Sequence, residues 1–93
     1  MTQFAFVTED GTPIDATDAE LAAARNAAEA YFAARKVTSD WCWTQVSNPP
    51  SLTESGVHFG RAANLWEAAE QRAIAAAFAG RTVKPADVFL AMV

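Results

Sequence analysis

The sequence predicts a small α+β domain, because two long helical segments are flanked by short segments that favour β-strands. Residues 18–36 and 61–79 are rich in alanine and have the apolar spacing of helices. Alanine lets helices approach closely but supplies little apolar area, so larger side chains must complete the core. These are concentrated in three clusters, at residues 4–7, 41–43 and 88–93. We therefore expect one globular domain, residues 1–93, in which a small sheet packs on two long helices.

The amino-terminal segment predicts a strand followed by a turn. Residues 3–7 have the composition of a short strand. The sequence Glu9-Asp10-Gly11 then predicts a turn, and residues 12–14 predict a short second arm. We expect a small hairpin, or an extended lead-in to the first helix.

The first long helix has a clear start signal. Thr17 can cap the helix, and Glu20 stands three residues later, where its carboxylate can reach back to the Thr17 amide. Arg35 and Lys36 mark the other end. At helical spacing a broad apolar arc faces the core, and it consists of Leu21, Ala24, Ala27, Ala28, Tyr31 and Phe32.

The middle of the chain predicts a second strand. Residues 41–46, from Trp41 to Val46, have a β-prone composition, and the proline pair that follows ends the segment. In a strand Trp41 and Trp43 would share one face. Buried tryptophans would supply core area, which we favour, whereas exposed ones would form a flat ligand-binding surface. Residues 51–60 fit either a strand or a loop.

The carboxy-terminal third predicts the second long helix and a short third one. Gly80 follows the helix of residues 61–79, and Pro85 suits the first position of a helix through residue 91. In this architecture the sheet is formed by the amino-terminal strand and the strand at residues 41–46. An all-helical bundle is the alternative.

The second long helix carries two apolar stripes. Ile74 and Phe78 lie nearly opposite Leu65, so one neighbouring element cannot cover both. Residues 88–93 could fold back and cover this second stripe. We favour this arrangement over one in which a partner protein covers it. If a partner covers it, the interface candidates are Glu67, Gln71, Ile74, Phe78, Phe89 and Met92. We expect a homodimer, because the chain ends on six apolar residues that need to dock, and two-fold assembly is common.

Charge is distributed unevenly along the chain. The net charge is −4, and residues 1–20 carry five acidic side chains and no lysine or arginine. Phosphate backbones are bound by clustered basic groups, so we expect no direct binding of nucleic acid. Acidic side chains also stabilise the start of the first helix, where the helix dipole is positive. We prefer this explanation of the acidic segment to recognition of a partner.

No pattern in the sequence predicts catalysis. Cys42 and His58 are the only thiol and imidazole, and an apolar setting between two tryptophans would raise the pKa of Cys42. We therefore expect a buried structural cysteine and a structural histidine. One cysteine and one histidine are too few for a typical zinc site, and no phosphate-binding glycine motif is present. We expect no enzyme activity, no metal and no cofactor.

The expected location is the cytoplasm. A single cysteine cannot form an intramolecular disulfide, and the segment after Met1 lacks the features of a secretory signal. No run approaches the roughly 18 apolar residues that span a bilayer, so we expect no membrane association.

These observations favour a non-enzymatic interaction protein, self-associating, that acts as an adaptor or inhibitor through a protein surface. One alternative is an inhibitor encoded by a phage or mobile element, whose acidic patch blocks a basic nucleic-acid-binding surface of a host protein. Another is a small-molecule-binding domain with a tryptophan-lined pocket. The candidate pocket residues are then Trp41, Trp43, Tyr31 and His58.

Overall fold

The chain combines three helices with a two-stranded antiparallel sheet. The computed structural model describes residues 3–47, 55–80 and 88–92, and of residues 55–59 it describes the backbone alone. A mixed α+β class is thereby confirmed, and the all-helical alternative is wrong. In chain order the elements are β1 (Phe4–Val7), α1 (Asp18–Ala34), α2 (Ser39–Ser47), α3 (Ser55–Ala77) and β2 (Phe89–Met92).

The partner of β1 in the sheet is β2, at the other end of the chain. The two strands are antiparallel, with Phe4 opposite Met92 and Val7 opposite Phe89. The prediction that residues 41–46 form the second strand is wrong. The predicted carboxy-terminal helix is wrong at residues 89–91, while residues 85–87 lie outside the described part. A short apolar run has no decisive periodicity, so its pairing with β1 determines its conformation.

The predicted hairpin after β1 is confirmed. Val7 forms an isolated antiparallel bridge with Pro13, and the Ile14 amide donates to the Phe6 carbonyl over 2.9 Å. Gly11 allows the tight reversal, because its φ of 87° is a left-handed conformation that favours glycine.

Residues 41–46 lie within α2, and the reason is a local start signal. The Trp41 amide donates to the Thr38 hydroxyl over 3.1 Å, and the Cys42 amide donates to the Thr38 carbonyl over 3.2 Å. Thr38 therefore acts as the cap of α2, with Asp40 in the first turn, where a carboxylate is favourable. Capping and burial of Cys42 outweigh the β-prone composition.

The predicted capping box of α1 is confirmed. The Glu20 amide donates to the Thr17 hydroxyl over 3.1 Å, and the Thr17 amide donates to the Glu20 carboxylate over 2.8 Å. These two bonds satisfy donors that an uncapped helix would leave unpaired.

The carboxyl end of α1 closes in a Schellman motif with a lysine at its left-handed position. The Val37 amide donates to the Phe32 carbonyl and the Lys36 amide to the Ala33 carbonyl, over 3.1 and 3.0 Å. Lys36 has a φ of 59°, in the conformation that glycine usually adopts at this point. The helix thus ends two residues before the predicted boundary, and its last turn carries backbone strain.

Helix α3 begins before the predicted boundary at residue 61. Residues 55–60 are helical, which corrects the prediction of a strand or loop there, and residues 51–54 lie outside the described part. The predicted alanine faces of α1 and α3 are confirmed as contact surfaces. Five alanines are fully buried between the packed elements, namely Ala24, Ala28, Ala62, Ala69 and Ala73. None of the helices in the described part combines the length and hydropathy needed to cross a membrane.

The aromatic core is centred on Trp66 of α3. Its ring lies 6.1 Å from Phe4 of β1, 5.7 Å from Phe32 of α1 and 5.0 Å from Trp43 of α2, between ring centroids. Its indole N–H donates to the Leu90 carbonyl of β2 over 3.1 Å. One side chain therefore contacts all four other elements.

The hydrogen bond of Trp66 can be separated from its packing by substitution. Trp66→Phe keeps an aromatic ring but leaves the buried Leu90 carbonyl unpaired, so we expect it to lower the free energy of unfolding by about 1–3 kcal/mol. Urea denaturation followed by circular dichroism measures the change. Trp43→Phe removes the same atoms from a half-buried ring and is the matched control. Equal losses in the two variants would contradict the assigned role of the hydrogen bond.

A substitution that relieves the backbone strain at Lys36 should stabilise the protein, in contrast to Trp66→Phe. We expect Lys36→Gly to raise the free energy of unfolding by about 0.5–1 kcal/mol, because glycine adopts the left-handed conformation without steric cost. Lys36→Ala retains the strain and removes the same side-chain charge, so it should give no such gain. Thermal unfolding compares the two variants, and a gain with alanine equal to that with glycine would refute the explanation.

Candidate functional site

The outer edge of β2 is held by two side chains of α3. The Leu90 amide donates to the Glu70 carboxylate over 2.8 Å, and the Leu90 carbonyl accepts from Trp66. Trp66 and Glu70 are one helical turn apart, so both can reach the same strand residue. At Leu90 these side chains occupy the positions that a third strand would take.

The outer edge of β1 is also occupied. Ile14 donates to the Phe6 carbonyl, and the bridge between Val7 and Pro13 covers the end of the strand. A partner that adds a strand to a sheet needs an unpaired edge. Within the described residues, the middle of each sheet edge is taken by the chain itself.

The face of the sheet that points away from the helices is apolar. Phe4, Phe6 and Leu90 are buried, and the alternate residues of both strands lie on the other face. This outer sheet face consists of the cross-strand pairs Ala5 with Ala91 and Val7 with Phe89. Phe89 is 41% exposed, and among the described residues it is the only large hydrophobic side chain classed as exposed.

An acidic turn adjoins the outer sheet face. We use this name for residues 8–12, which follow Val7 directly. The Asp10 carboxylate accepts from the hydroxyls of Thr8 and Thr12 and from the Thr12 amide, the last over 3.1 Å. These hydrogen bonds, led by that of Thr8, lower the pKa of Asp10 to about 2. Glu9 and Asp10 are both exposed, so the turn presents negative charge beside Phe89.

The interface residues predicted from the helical pattern do not form one surface. Ile74 and Phe78 are 6% and 5% exposed, and the Phe78 ring lies 5.0 Å from that of Phe6. Both side chains are therefore buried within the chain; β1 provides a contact with Phe78, whereas the sequence predicts cover by residues 88–93. Of the other candidates, Met92 is half-buried, and those exposed to solvent are Glu67, Gln71 and Phe89.

The two tryptophans of the predicted pocket lie on different sides of α2. Because Trp41 and Trp43 lie on a helix, they point about 200° apart, and the prediction of a shared face is wrong. Trp43 packs on Trp66, as described above. Tyr31 has the guanidinium carbons of Arg35 and Arg72 at 4.0 and 4.3 Å from its ring centroid. His58 lies within α3, and its side chain is outside the described part.

Trp41 instead borders a cleft at the junction of α1 and α2. This cationic cleft has a volume of about 430 Å³ and is lined by Lys36, Val37, Thr38, Trp41 and Arg61. The Arg61 guanidinium carbon lies 5.9 Å from the Trp41 ring centroid. The strained Lys36 backbone therefore borders an open cavity with a second cation and an indole.

Cys42 is fully buried, as the sequence predicted. Burial raises the pKa of the thiol, and the Arg61 guanidinium opposes this rise to a smaller extent. A thiol in this state is a weak nucleophile at neutral pH. Across the residues that the structure describes, no group of three or more histidine, cysteine, aspartate or glutamate side chains is arranged to hold a metal ion.

Comparison with known proteins gives no relative. No protein-family model, curated protein or solved structure matches this chain. Function must therefore be argued from the surfaces just described.

Sequence reasoning missed two features of these surfaces. Trp66 and Glu70 have the spacing of neighbours on a helix face, but their shared partner is on a strand that the sequence predicted as a helix. The cationic cleft combines Lys36 and Arg61, which are distant in sequence. The absence of a glycine after Arg35 was the one local signal that the end of α1 is unusual.

The Glu70 carboxylate makes stability depend on pH. Burial raises its pKa in the folded protein; the Leu90 hydrogen bond opposes this, and Glu67 adds to it. The folded state then binds more protons than the unfolded state between the ordinary glutamate pKa and the raised one. We therefore expect wild type to gain stability relative to Glu70→Gln as the pH falls from 7 toward 4.5.

Urea denaturation of both proteins across this pH range measures the difference. Glutamine retains an oxygen that can accept from Leu90, so Glu70→Gln should fold. Glu70→Ala leaves the Leu90 amide without this acceptor and should cost about 1–3 kcal/mol. A wild-type advantage over Glu70→Gln that is constant, or that falls as the pH falls, would show that Glu70 is not the group responsible.

Proposed function

We propose that this protein is a non-enzymatic interaction protein, an adaptor or inhibitor, that binds another protein through the outer sheet face and the acidic turn. The observation that carries the proposal is the exposed Phe89 ring at one end of an apolar sheet face, next to the acidic turn. Exposed apolar patches with polar surroundings are typical of protein interfaces. The buried, free thiol of Cys42 supports a cytoplasmic setting for this function.

The partner is expected to offer an apolar socket with a basic rim. Because the middle of both sheet edges is occupied, binding uses side chains rather than strand addition. Four residues of sheet cannot supply the roughly 800 Å² per partner of a standard interface, so contact must extend beyond them. The acidic turn is adjacent, and Glu9 and Asp10 would contact basic groups on the partner.

If the protein is an inhibitor, we propose that its partner is a protein with a basic nucleic-acid-binding surface, which the acidic turn would block. Asp10 is ionised over the physiological pH range, and its hydrogen bonds extend the ionised state to lower pH, since they lower its pKa to about 2. Carboxylates held in a fixed turn could then compete with phosphates for arginine and lysine side chains. An origin in a phage or mobile element is part of this version.

Self-association would use the same surface. In a two-fold dimer the Phe89 ring of each copy would pack over the small side chains of Ala5 and Ala91 in the other. An antiparallel arrangement of the strands would keep the two acidic turns apart. The limited area favours a weak, concentration-dependent dimer that gives way to the partner complex.

Phe89 and Phe78 provide a discriminating pair of substitutions. Phe89→Asp should remain folded by circular dichroism, because the side chain is already exposed, and light scattering should show a loss of the dimer. Phe78→Asp should unfold the chain, because it buries a charge without a partner. A folded Phe78→Asp variant, or a Phe89→Asp dimer as strong as wild type, would contradict these assignments.

Partner binding is tested by quantitative capture from the cells that produce the protein, with wild type and matched variants. A true partner should be retained by wild type and lost with Phe89→Asp or with Glu9→Gln and Asp10→Asn combined. Gln71→Ser changes an exposed residue of α3 that belongs to neither the outer sheet face nor the acidic turn, so this variant should retain the partner. Equal capture by all variants would refute binding through this surface.

A further inference from the structure

We propose that the cationic cleft binds a small anion that carries a planar ring, of the size and chemistry of a mononucleotide. This site is separate from the outer sheet face, and it uses residues that the proposed protein interaction leaves unexplained. Three features of the molecule support this site: the lining of the cleft, the backbone of Lys36 and the position of the Arg61 guanidinium near an indole.

Two cations from different elements meet at the cleft. Lys36 follows α1, and Arg61 belongs to α3, yet both line the same cavity of about 430 Å³. The lining contains no carboxylate among the described residues. Asp40 and Glu29 line a neighbouring depression on the other side of Val37 and Thr38. An anion in the cleft would therefore be attracted by Lys36 and Arg61, and among the described lining residues it would meet no carboxylate.

The backbone of Lys36 indicates that its side chain has a use. A non-glycine residue in the left-handed conformation costs free energy, and glycine would relieve this cost at the end of a helix. Such strain is found preferentially at binding sites, where the free energy that the side chain contributes to binding exceeds the cost of the strained backbone. Here the strained residue is one of the residues that line the cleft.

Trp41 supplies a flat surface beside these charges. Its indole is half-buried, and the Arg61 guanidinium lies 5.9 Å from the ring centroid. Indole faces stack on planar rings such as nucleobases, and this contact tolerates different bases. A ring on Trp41 and a phosphate near Lys36 and Arg61 would engage the three side chains together.

The volume of the cleft sets the size of the ligand. About 430 Å³ lies within the range of small-molecule sites and can hold a mononucleotide, but it is too small for a folded partner. The cleft is open to solvent, so affinity should be modest and should depend on salt.

Isothermal titration calorimetry with AMP, adenosine and inorganic phosphate tests the proposal. AMP should bind more tightly than either of the other two probes, because it alone carries both the ring and the charge. Arg61→Gln and Lys36→Ala should each weaken AMP binding about tenfold, as expected for loss of one charge-assisted contact. Trp41→Leu should reduce the advantage of AMP over phosphate.

Arg72→Gln is the matched control, because it removes an arginine that also lies over an aromatic ring but outside the cleft. It should leave AMP binding within twofold of wild type. Lys36→Gly provides a second check, since it should weaken AMP binding while it raises thermal stability, so loss of binding cannot be assigned to unfolding.

Three results would overturn the proposal. One is the absence of AMP binding at millimolar concentration in low salt. Another is equal affinity for AMP and phosphate, or for AMP and adenosine. The third is a loss with Arg72→Gln as large as that with Arg61→Gln, which would indicate non-specific attraction to basic residues.

Discussion

The packing of this chain depends on Trp66. Its ring contacts one aromatic side chain from each of β1, α1 and α2, and its indole N–H holds the Leu90 carbonyl of β2. The alanines that line the same helix bring α1 close but bury little area themselves. A single large side chain therefore connects elements that the alanine faces alone would not hold. Trp66 also helps to position β2, which pairs with β1 in the sheet.

Glu70 completes that arrangement at an electrostatic cost. A two-stranded sheet is marginal by itself, because each strand leaves one edge unpaired. Here Trp66 and Glu70 satisfy both backbone groups of Leu90, so α3 substitutes for a third strand at that residue. The cost is a partly buried carboxylate with a raised pKa. The gain is a sheet edge that is protected at Leu90.

Local signals in the sequence predicted the parts of the fold that depend on neighbours in sequence. The capping box of Thr17 and Glu20 and the alanine faces of the long helices are examples. Residues 41–46 form a helix despite their β-prone composition, because the cap at Thr38 outweighs that composition. The segment of β2 was misjudged because a short apolar run acquires its conformation from a distant partner. The contact of β1 with Phe78 likewise joins residues that are distant in sequence, so the helical pattern could not predict it. Among the large apolar interface candidates, only Phe89 is exposed.

Charge is separated along the molecule in a way that the net value conceals. Helix α1 has 17 residues and is therefore about 25 Å long, with acidic residues at its start and Arg35 and Lys36 after its end. The contact between Phe6 and Phe78 places the acidic turn toward the start of α1, whereas Arg61 joins Lys36 at the far end. This separation exceeds the screening length of about 8 Å at physiological salt. Charges at the two ends are therefore largely screened from each other, so the two proposed binding surfaces do not compete electrostatically.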